Sequence, residues 1–365
     1  MTARLAIVMS GFPRISETFA LGELVALARA GMLARVYATK PGDGAPPQPG
    51  VEELLPLLRL LPAGDATLQA TALVEDLADA RIDGVHGYFA HQPTEVASHA
   101  ARALGVGFSF SAHALDARKV APVDLARRAR AATGVVACNT DVAQHVALPG
   151  VRMSLLPHGV DLARFCPRPH PDGDARLRIL AVGRFVEKKG FPTLLDAVAR
   201  LAVPATLRIV GTGVGHASLE EVIERQGLGD TVELVGRRSH AELPDEYAWA
   251  DVVAVPSVMD SNGDRDGLPN VALEAMACGR PLVASDVSAL GVTVLTAGSG
   301  VVVPPGDADA LADALTTLTA PRLRAELGAA GRSYVEERFD LATCSGRLVE
   351  HLRLLHTTAP EPVDA

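Results

Sequence analysis

The sequence holds 365 residues, which favours two domains over one. Charged residues make up 21% and hydrophobic residues 48%, which excludes a disordered chain, and a net charge of −9 excludes nucleic acid as the expected partner. No apolar run is long enough to span a bilayer, residues 1–9 are too short for a signal peptide, and Cys138, Cys166, Cys278 and Cys344 lack metal-type or redox-type spacing, so a cytoplasmic protein with free thiols is expected.

Residues 5–10 form a short apolar run and predict the first parallel strand. Gly11-Phe12-Pro13 turns the chain. Ser16-Glu17-Thr18-Phe19 then opens a helix carrying Leu21, Leu24, Val25 and Leu27, with Ser16 as N-cap. Glu17 is either a first-turn acid favoured by the helix dipole or a group of the site that follows the strand. Residues 36–39 predict a strand, 41–50 a Pro/Gly-rich loop, 66–80 a helix, 84–90 a strand and 94–104 a helix. Residues 51–61 are apolar but contain Pro56, and their state stays open. His86 and His91 have the look of a metal pair; an acceptor-facing strand end is the favoured reading.

Residues 107–111 predict a strand ending in Ser111-Ala112-His113-Ala114-Leu115-Asp116. A His at the C-terminal end of a parallel strand sits where open α/β sheets bind ligands. Arg118, Lys119, Arg127, Arg128 and Arg130 follow, opposed in that span by Asp124. They form either a solvated helix face or a basic patch for an anionic acceptor or a membrane surface. Residues 134–138 and 151–156 predict further strands, and the Pro-rich stretch 167–173 predicts a linker.

The second half repeats the strand–helix alternation of a doubly wound sheet. A strand over 178–182 runs into Gly183-Arg184-Phe185-Val186-Glu187-Lys188-Lys189-Gly190, where two cations at a strand end suit a leaving diphosphate. A strand over 206–210 ends in Gly211-Thr212-Gly213, where the second Gly could let the backbone approach a nucleotide. Residues 232–235 lead to Gly236-Arg237-Arg238, and 252–255 lead to Pro256-Ser257. The stretch Asp266-Gly267-Leu268-Pro269-Asn270-Val271-Ala272-Leu273-Glu274 follows, with a helix predicted over 270–277 and Gly279 as its stop. A helix start between two carboxylates suits a sugar, a diphosphate and a ribose laid across it. Asp264-Arg265-Asp266 also has the Asp-x-Asp spacing of metal-dependent sugar transferases, and a metal role is the minor reading.

The stretch from Asp266 to Ser285 resembles the Glu-x7-Glu motif of retaining glycosyltransferases of family 4, with Asp266 in place of the usual Glu. Phe12-Pro13-x-x-Ser16-Glu17-Thr18-Phe19 is similar to a phrase of the branch involved in extracellular, colanic-acid-type polysaccharide. Ser111-x-His113-x-x-Asp116, Pro157-His158-Gly159-Val160-Asp161, Arg184 with Lys189, and Val301-Val302-Val303-Pro304-Pro305-Gly306-Asp307 are similar to further family phrases. Residues 287–294 depart from the family's Gly-Gly-x-x-Glu turn. The resemblance covers about residues 4–356.

It implies an α/β protein of the GT-B fold, two doubly wound Rossmann-like domains facing a central cleft. Residues 1–166 would bind the acceptor, 174–338 the nucleotide sugar, and helix 339–356 would pack back on the first domain. His113, Arg184, Lys189 and Asp266 are the implied catalytic residues. Gly11, Gly211, Gly213, Arg237, Gly267, Leu268, Pro269, Asn270 and Glu274 are assigned to the donor, and Glu17, His91 and Arg118 to the acceptor. The implied reaction is retaining transfer from a nucleoside diphosphate sugar, with UDP the expected nucleotide, to a hydroxyl of a glycan, lipid-linked glycan or small molecule. The acceptor attacks from the front face and the departing phosphate takes the proton, with no metal, no cofactor and no protein nucleophile. Peripheral contact of the first domain with the inner face of the membrane goes with the basic patch. Tailoring of a small natural product such as an aminocyclitol is the alternative within this class. Nucleotide-sugar 2-epimerisation and non-catalytic nucleotide-sugar binding are the alternatives outside it.

Overall fold

The computed structural model describes residues 3–14, 17–44, 48–169 and 176–357. It divides into two units, Met1–Gly159 with Leu341–Ala365, and Val160–Asp340.

The first unit is built on a seven-stranded parallel sheet: β1 Leu5–Phe12, β2 Leu33–Pro41, β3 Leu58–Leu60, β4 Gly84–Tyr88, β5 Gly107–Ala112, β6 Gly134–Ala137 and β7 Met153–Leu155, in the order β3-β2-β1-β4-β5-β6-β7. Every residue of β1 is buried. Alternation along this strand sends Ala6 and Val8 to one core and Leu5, Ile7 and Met9 to the other. A strand covered on both faces reads as a continuous apolar run, which is why it is visible in the sequence. The stretch left open at 51–61 becomes a helix Val51–Leu54, a turn Leu55–Leu57 holding Pro56, and the edge strand β3.

The last helix, Leu341–Thr357, places Leu348, Leu352 and Leu355 in the core that holds Leu5, Ile7 and Met9. Its His356 lies where Gly84 lacks a side chain: a Cβ there would stand 2.0 Å from the imidazole Nδ1. His356 Nε2 is 2.8 Å from Ser109 Oγ.

The second unit is built on β8 Leu177–Val182, β9 Ala205–Val210, β10 Val232–Gly236, β11 Val252–Val255, β12 Leu282–Ser285 and β13 Gly300–Val303, all parallel, in the order β10-β9-β8-β11-β12-β13. Val160 donates its N–H to Phe339 O at 2.7 Å and bridges Asp340, so the chain enters and leaves this unit side by side. Val160 and Phe165 are buried in the second unit's core, which moves the expected boundary at 166–174 back to Val160. Of the linker expected at 167–173, residues 170–173 lie outside the described residues, as do Ser16 and residues 358–365.

The strand order fixes where a ligand can be held. In both sheets the order reverses beside the first strand, between β1 and β4 and between β8 and β11. Open α/β sheets bind ligands beyond the carboxyl ends of strands at such a switch point. The loop carrying Arg184 follows β8, and the loop carrying Asp266 follows β11. Among the described residues no helix is long and apolar enough to cross a membrane.

Candidate functional site

The second unit brings one predicted carboxylate, Asp266, and one predicted cation, Lys189, together. Helix Asn270–Ala277 begins where predicted, with Pro269 at its N-cap (φ −71°, ψ 140°), and Gly279 follows it at φ +66°. Asp266, Gly267 and Glu274 are buried, and Leu268, Pro269 and Asn270 are half-buried. Asp266 is 8% exposed and receives three groups. Lys189 Nζ lies 2.7 Å from Oδ2, Ser257 Oγ donates to Oδ2 at 2.8 Å, and Lys188 Nζ lies 3.5 Å from Oδ1. Burial alone would raise this carboxyl; the two ammonium groups and the Lys189 and Ser257 hydrogen bonds outweigh it and hold the carboxyl below its ordinary value.

Lys188 was not among the expected site residues. Its ammonium lies 3.1 Å from Asp264 Oδ2 and so joins the two carboxylates of the Asp-x-Asp spacing. Arg184 is exposed and makes no ion pair among the described residues. Arg237 is exposed as well.

Glu274 is 5% exposed. It accepts a hydrogen bond from Tyr247 Oη at 2.7 Å on Oε2, and His240 Nε2 stands 3.6 Å from Oε1. Phe165 packs edge-on against both rings, at 4.9 and 5.8 Å. Burial, then the Glu274 carboxylate, pushes the Tyr247 hydroxyl well above its ordinary value, so it stays a donor. The sequence gives no signal for Tyr247 or His240, because neither is near Glu274 along the chain.

The glycines of the Gly-x-Gly have a packing role in the fold. A Cβ on Gly211 would stand 1.8 Å from Gly183 O, and one on Gly213 would stand 2.6 Å from Phe185 O. These glycines admit the protein's own Gly183–Phe185 turn. Gly11 is explained in the same way, since its Cβ would meet Pro41 O at 2.7 Å.

The first unit holds a second cluster. His113 is 8% exposed, and both of its ring nitrogens are buried without a hydrogen-bond partner. Asp116 accepts from the His113 N–H at 3.0 Å and from the Ala90 N–H, which fixes the strand end. Burial pushes the Asp116 carboxyl up to about 7. The His113 ring lies parallel to His158, 5.0 Å away at 9°, and packs against Phe89 at 4.8 Å and Phe19 at 5.3 Å. Burial, then the neighbouring His158, pushes His113 well below its ordinary value, so its neutral ring offers one donor and one acceptor.

His158 Nδ1 lies 2.7 Å from Glu23 Oε1, and Tyr88 Oη donates to the other oxygen of Glu23. Burial would lower His158; the Glu23 carboxylate outweighs it, with Cys138 assisting, and pushes the imidazole up to about 10. A raised folded value means that this pair's stability is complete below about 6.5 and is lost as pH rises through about 10. Denaturant unfolding of wild type and Glu23→Gln should therefore show wild type losing an advantage over that range, with a flatter profile in the variant; parallel profiles would contradict the pairing.

Glu17 occupies the N-cap position of helix Thr18–Arg29 without capping it, and takes Arg14 Nη1 at 3.1 Å. Burial raises its carboxyl against the opposing Arg14 charge. His91 precedes helix Gln92–Leu104 and packs on Phe89 at 5.8 Å, with Nδ1 buried and unpartnered. His86 is a core residue instead, bonded to Ser109 Oγ at 2.8 Å and Ser111 Oγ at 2.9 Å.

Three arginines of the basic run are ion-paired. Arg118 pairs with Asp141, Arg127 pairs with Asp124 at 3.1 Å, and Arg128 pairs with Glu95 at 3.0 Å while donating to Ala90 O. Glu95 and Asp141, outside the run, supply two of these carboxylates, and Lys119 and Arg130 are exposed. Asp141 holds the guanidinium of Arg118, the arginine expected at the acceptor.

Residues 176–320 match the family model described as Glycosyl transferases group 1. The chain is 35% identical over 179 residues, covering 48% of itself and 44% of the relative, to a putative colanic acid biosynthesis glycosyltransferase, WcaL of Escherichia coli. It is 36% identical over 219 residues, 56% of itself and 57% of the relative, to the GDP-mannose-dependent alpha-(1-6)-phosphatidylinositol monomannoside mannosyltransferase of Mycolicibacterium smegmatis. The chain thus spans about half the length of the curated relatives it matches. Among solved structures it is similar to HepE of Anabaena in complex with UDP, with a TM-score of 0.80, 20% identity, and coverage of 96% of this chain and 99% of that one. A parallel-sheet α/β unit of seven strands and one of six, matched to such structures, give the chain the GT-B fold, and its second unit carries a glycosyl transferases group 1 domain.

Proposed function

We propose that the chain is a retaining glycosyltransferase that moves a sugar from a nucleoside diphosphate sugar to a hydroxyl acceptor in polysaccharide or glycolipid assembly. The observation that carries this reading is the order of charges along the loop and helix after β11: Asp266 fixed by lysines, then a helix start, then the buried carboxylate of Glu274. Arg184, Lys189 and the positive end of the dipole of helix Asn270–Ala277 would stabilise the diphosphate as it leaves. Asp266 would accept hydroxyls of the sugar. Glu274 would accept those of the ribose, with Tyr247 holding one oxygen in place. A carboxylate has about four lone-pair sites, so one bond from Tyr247 leaves acceptor capacity. His113 would hold the donor sugar, and Glu17 and His91 the acceptor. UDP is the nucleotide expected from the sequence, and GDP-mannose is the donor named for the mycobacterial relative.

Incubation with a radiolabelled UDP-sugar or GDP-mannose tests the class of reaction. Transfer only when a lipid-linked or free glycan is added supports the proposal. Conversion of the donor without acceptor would mark an epimerase, and binding without turnover a non-catalytic protein.

Activity is expected to survive EDTA. The Lys188 ammonium already lies between the carboxylates of Asp264 and Asp266, and among the described residues no group of three or more His, Cys, Asp or Glu is placed to hold a metal. Loss of transfer in EDTA, restored by magnesium or manganese, would overturn metal-independence.

A further inference from the structure

Two lysines share one carboxylate, and the turn that carries them is fastened to the loop that carries it. Ser261 donates to Glu187 through its N–H at 3.0 Å and its hydroxyl at 2.8 Å. The Val258 N–H donates to Lys188 O at 2.9 Å. Gly190, at φ +63°, lies so close to the same loop that a Cβ would stand 1.8 Å from Pro256 O. These contacts set the register in which Lys189 Nζ meets Asp266 Oδ2 at 2.7 Å while Lys188 Nζ takes Asp266 Oδ1 at 3.5 Å and Asp264 Oδ2 at 3.1 Å.

The arrangement raises a conflict for Lys189. A cation that serves a diphosphate must leave, or share, the carboxylate it holds here. Releasing it from a buried carboxylate with no other partner is costly, because the charge is left uncompensated. Lys188 is itself buried, at 7% exposed, and reaches the other oxygen of Asp266. Ser257 remains on Oδ2 as well.

We propose that Lys188 is a positioning residue, the resident counter-ion that keeps Asp266 compensated while Lys189 turns from it to the diphosphate of the donor. The inference rests on the nucleoside diphosphate sugar site proposed above. It makes Lys188 matter for diphosphate binding through Asp266, without contact between Lys188 and the phosphates. Without Lys188, Asp266 retains Lys189. Without both Lys188 and the Asp266 charge, nothing retains it.

Calorimetric titration of UDP and of GDP into the whole chain tests this in wild type, Lys188→Met, Lys188→Arg, Asp266→Asn and the double variant Lys188→Met/Asp266→Asn. Lys188→Met should weaken whichever nucleotide wild type binds by about tenfold. Lys188→Arg keeps the charge and should bind close to wild type. The double variant should recover to within about threefold of wild type, because neutralising Asp266 frees Lys189. Wild-type affinity in Lys188→Met overturns the role, and so does a double variant as weak as the single one, which would mean that the loop has simply collapsed. Should Lys188→Met not fold, the double variant is compared with Asp266→Asn: equal affinities support the role and a further loss overturns it. If wild type binds neither nucleotide, the site reading falls and takes this role with it; if wild type binds and only the variants disagree, the role of Lys188 alone falls.

Discussion

Arg184→Ala and Lys189→Ala should each lower turnover by about 100- to 1000-fold, the usual cost of removing one group that stabilises developing charge, roughly 2.7–4 kcal/mol. The two substitutions differ in what they do to the fold. Arg184 is exposed and makes no ion pair among the described residues, so its loss should change stability by no more than about 0.5 kcal/mol. Lys189 holds a buried carboxylate at 2.7 Å, and its loss leaves Asp266 to Lys188 and Ser257. Lys189→Ala should therefore also lower the melting temperature. Initial rates at saturating donor, read beside thermal unfolding, separate the two effects. Turnover at the wild-type level in both variants would remove the phosphate assignment.

Glu274→Gln and Asp266→Asn should fail in different assays. Glu274 is assigned to the ribose, which the free nucleoside diphosphate also contains. A hydrogen bond to a charged group is worth roughly 1.5–3 kcal/mol, so Glu274→Gln should weaken nucleoside diphosphate binding by about ten- to a hundredfold. Tyr247 supports the same assignment, because its hydroxyl fixes Oε2 at 2.7 Å and so orients the carboxylate. Asp266 is assigned to the sugar, which the free nucleotide lacks. Asp266→Asn should leave nucleotide affinity nearly unchanged, since Lys189 is no longer held away, and lower transfer instead. Asp266→Glu, one methylene longer, should shift donor preference. Calorimetry on both neutral variants decides between the roles: equal weakening would mean that one carboxylate does not serve the sugar and the other the ribose.

The site is legible in the sequence to the extent that its chemistry is local. Helix Asn270–Ala277 was readable to the residue, because Pro269 cannot donate a backbone N–H and fixes its own φ at the start, and Gly279 takes φ +66° just past the end. Residues 51–61 were not readable, because Pro56 interrupts an apolar run too short to show either period. His113 stood out by its place at a strand end, and the structure gives that place a physical content: both ring nitrogens buried without a partner. The glycines at 211 and 213 show the opposite case. The sequence marks a close approach there and cannot say to what; the structure answers with Gly183 and Phe185.

By itself the sequence determined the inner parallel strands, since strands buried on both faces are written as short apolar runs, and it determined the helix that opens between two carboxylates. Tertiary structure alone decided which charges meet. Lys189 and Asp266 are 77 residues apart, Tyr247 and Glu274 are 27 apart, and Glu23 and His158 are 135 apart. Backbone propensity and periodicity act over a few residues, whereas these pairs depend on which strands are neighbours. The adjacency of β8 and β11 brings the lysine-bearing turn onto the loop of Asp264 and Asp266. The same physics put Arg118 and Arg128 of the basic run into ion pairs, because Asp141 and Glu95 come from helices that only the fold sets beside it.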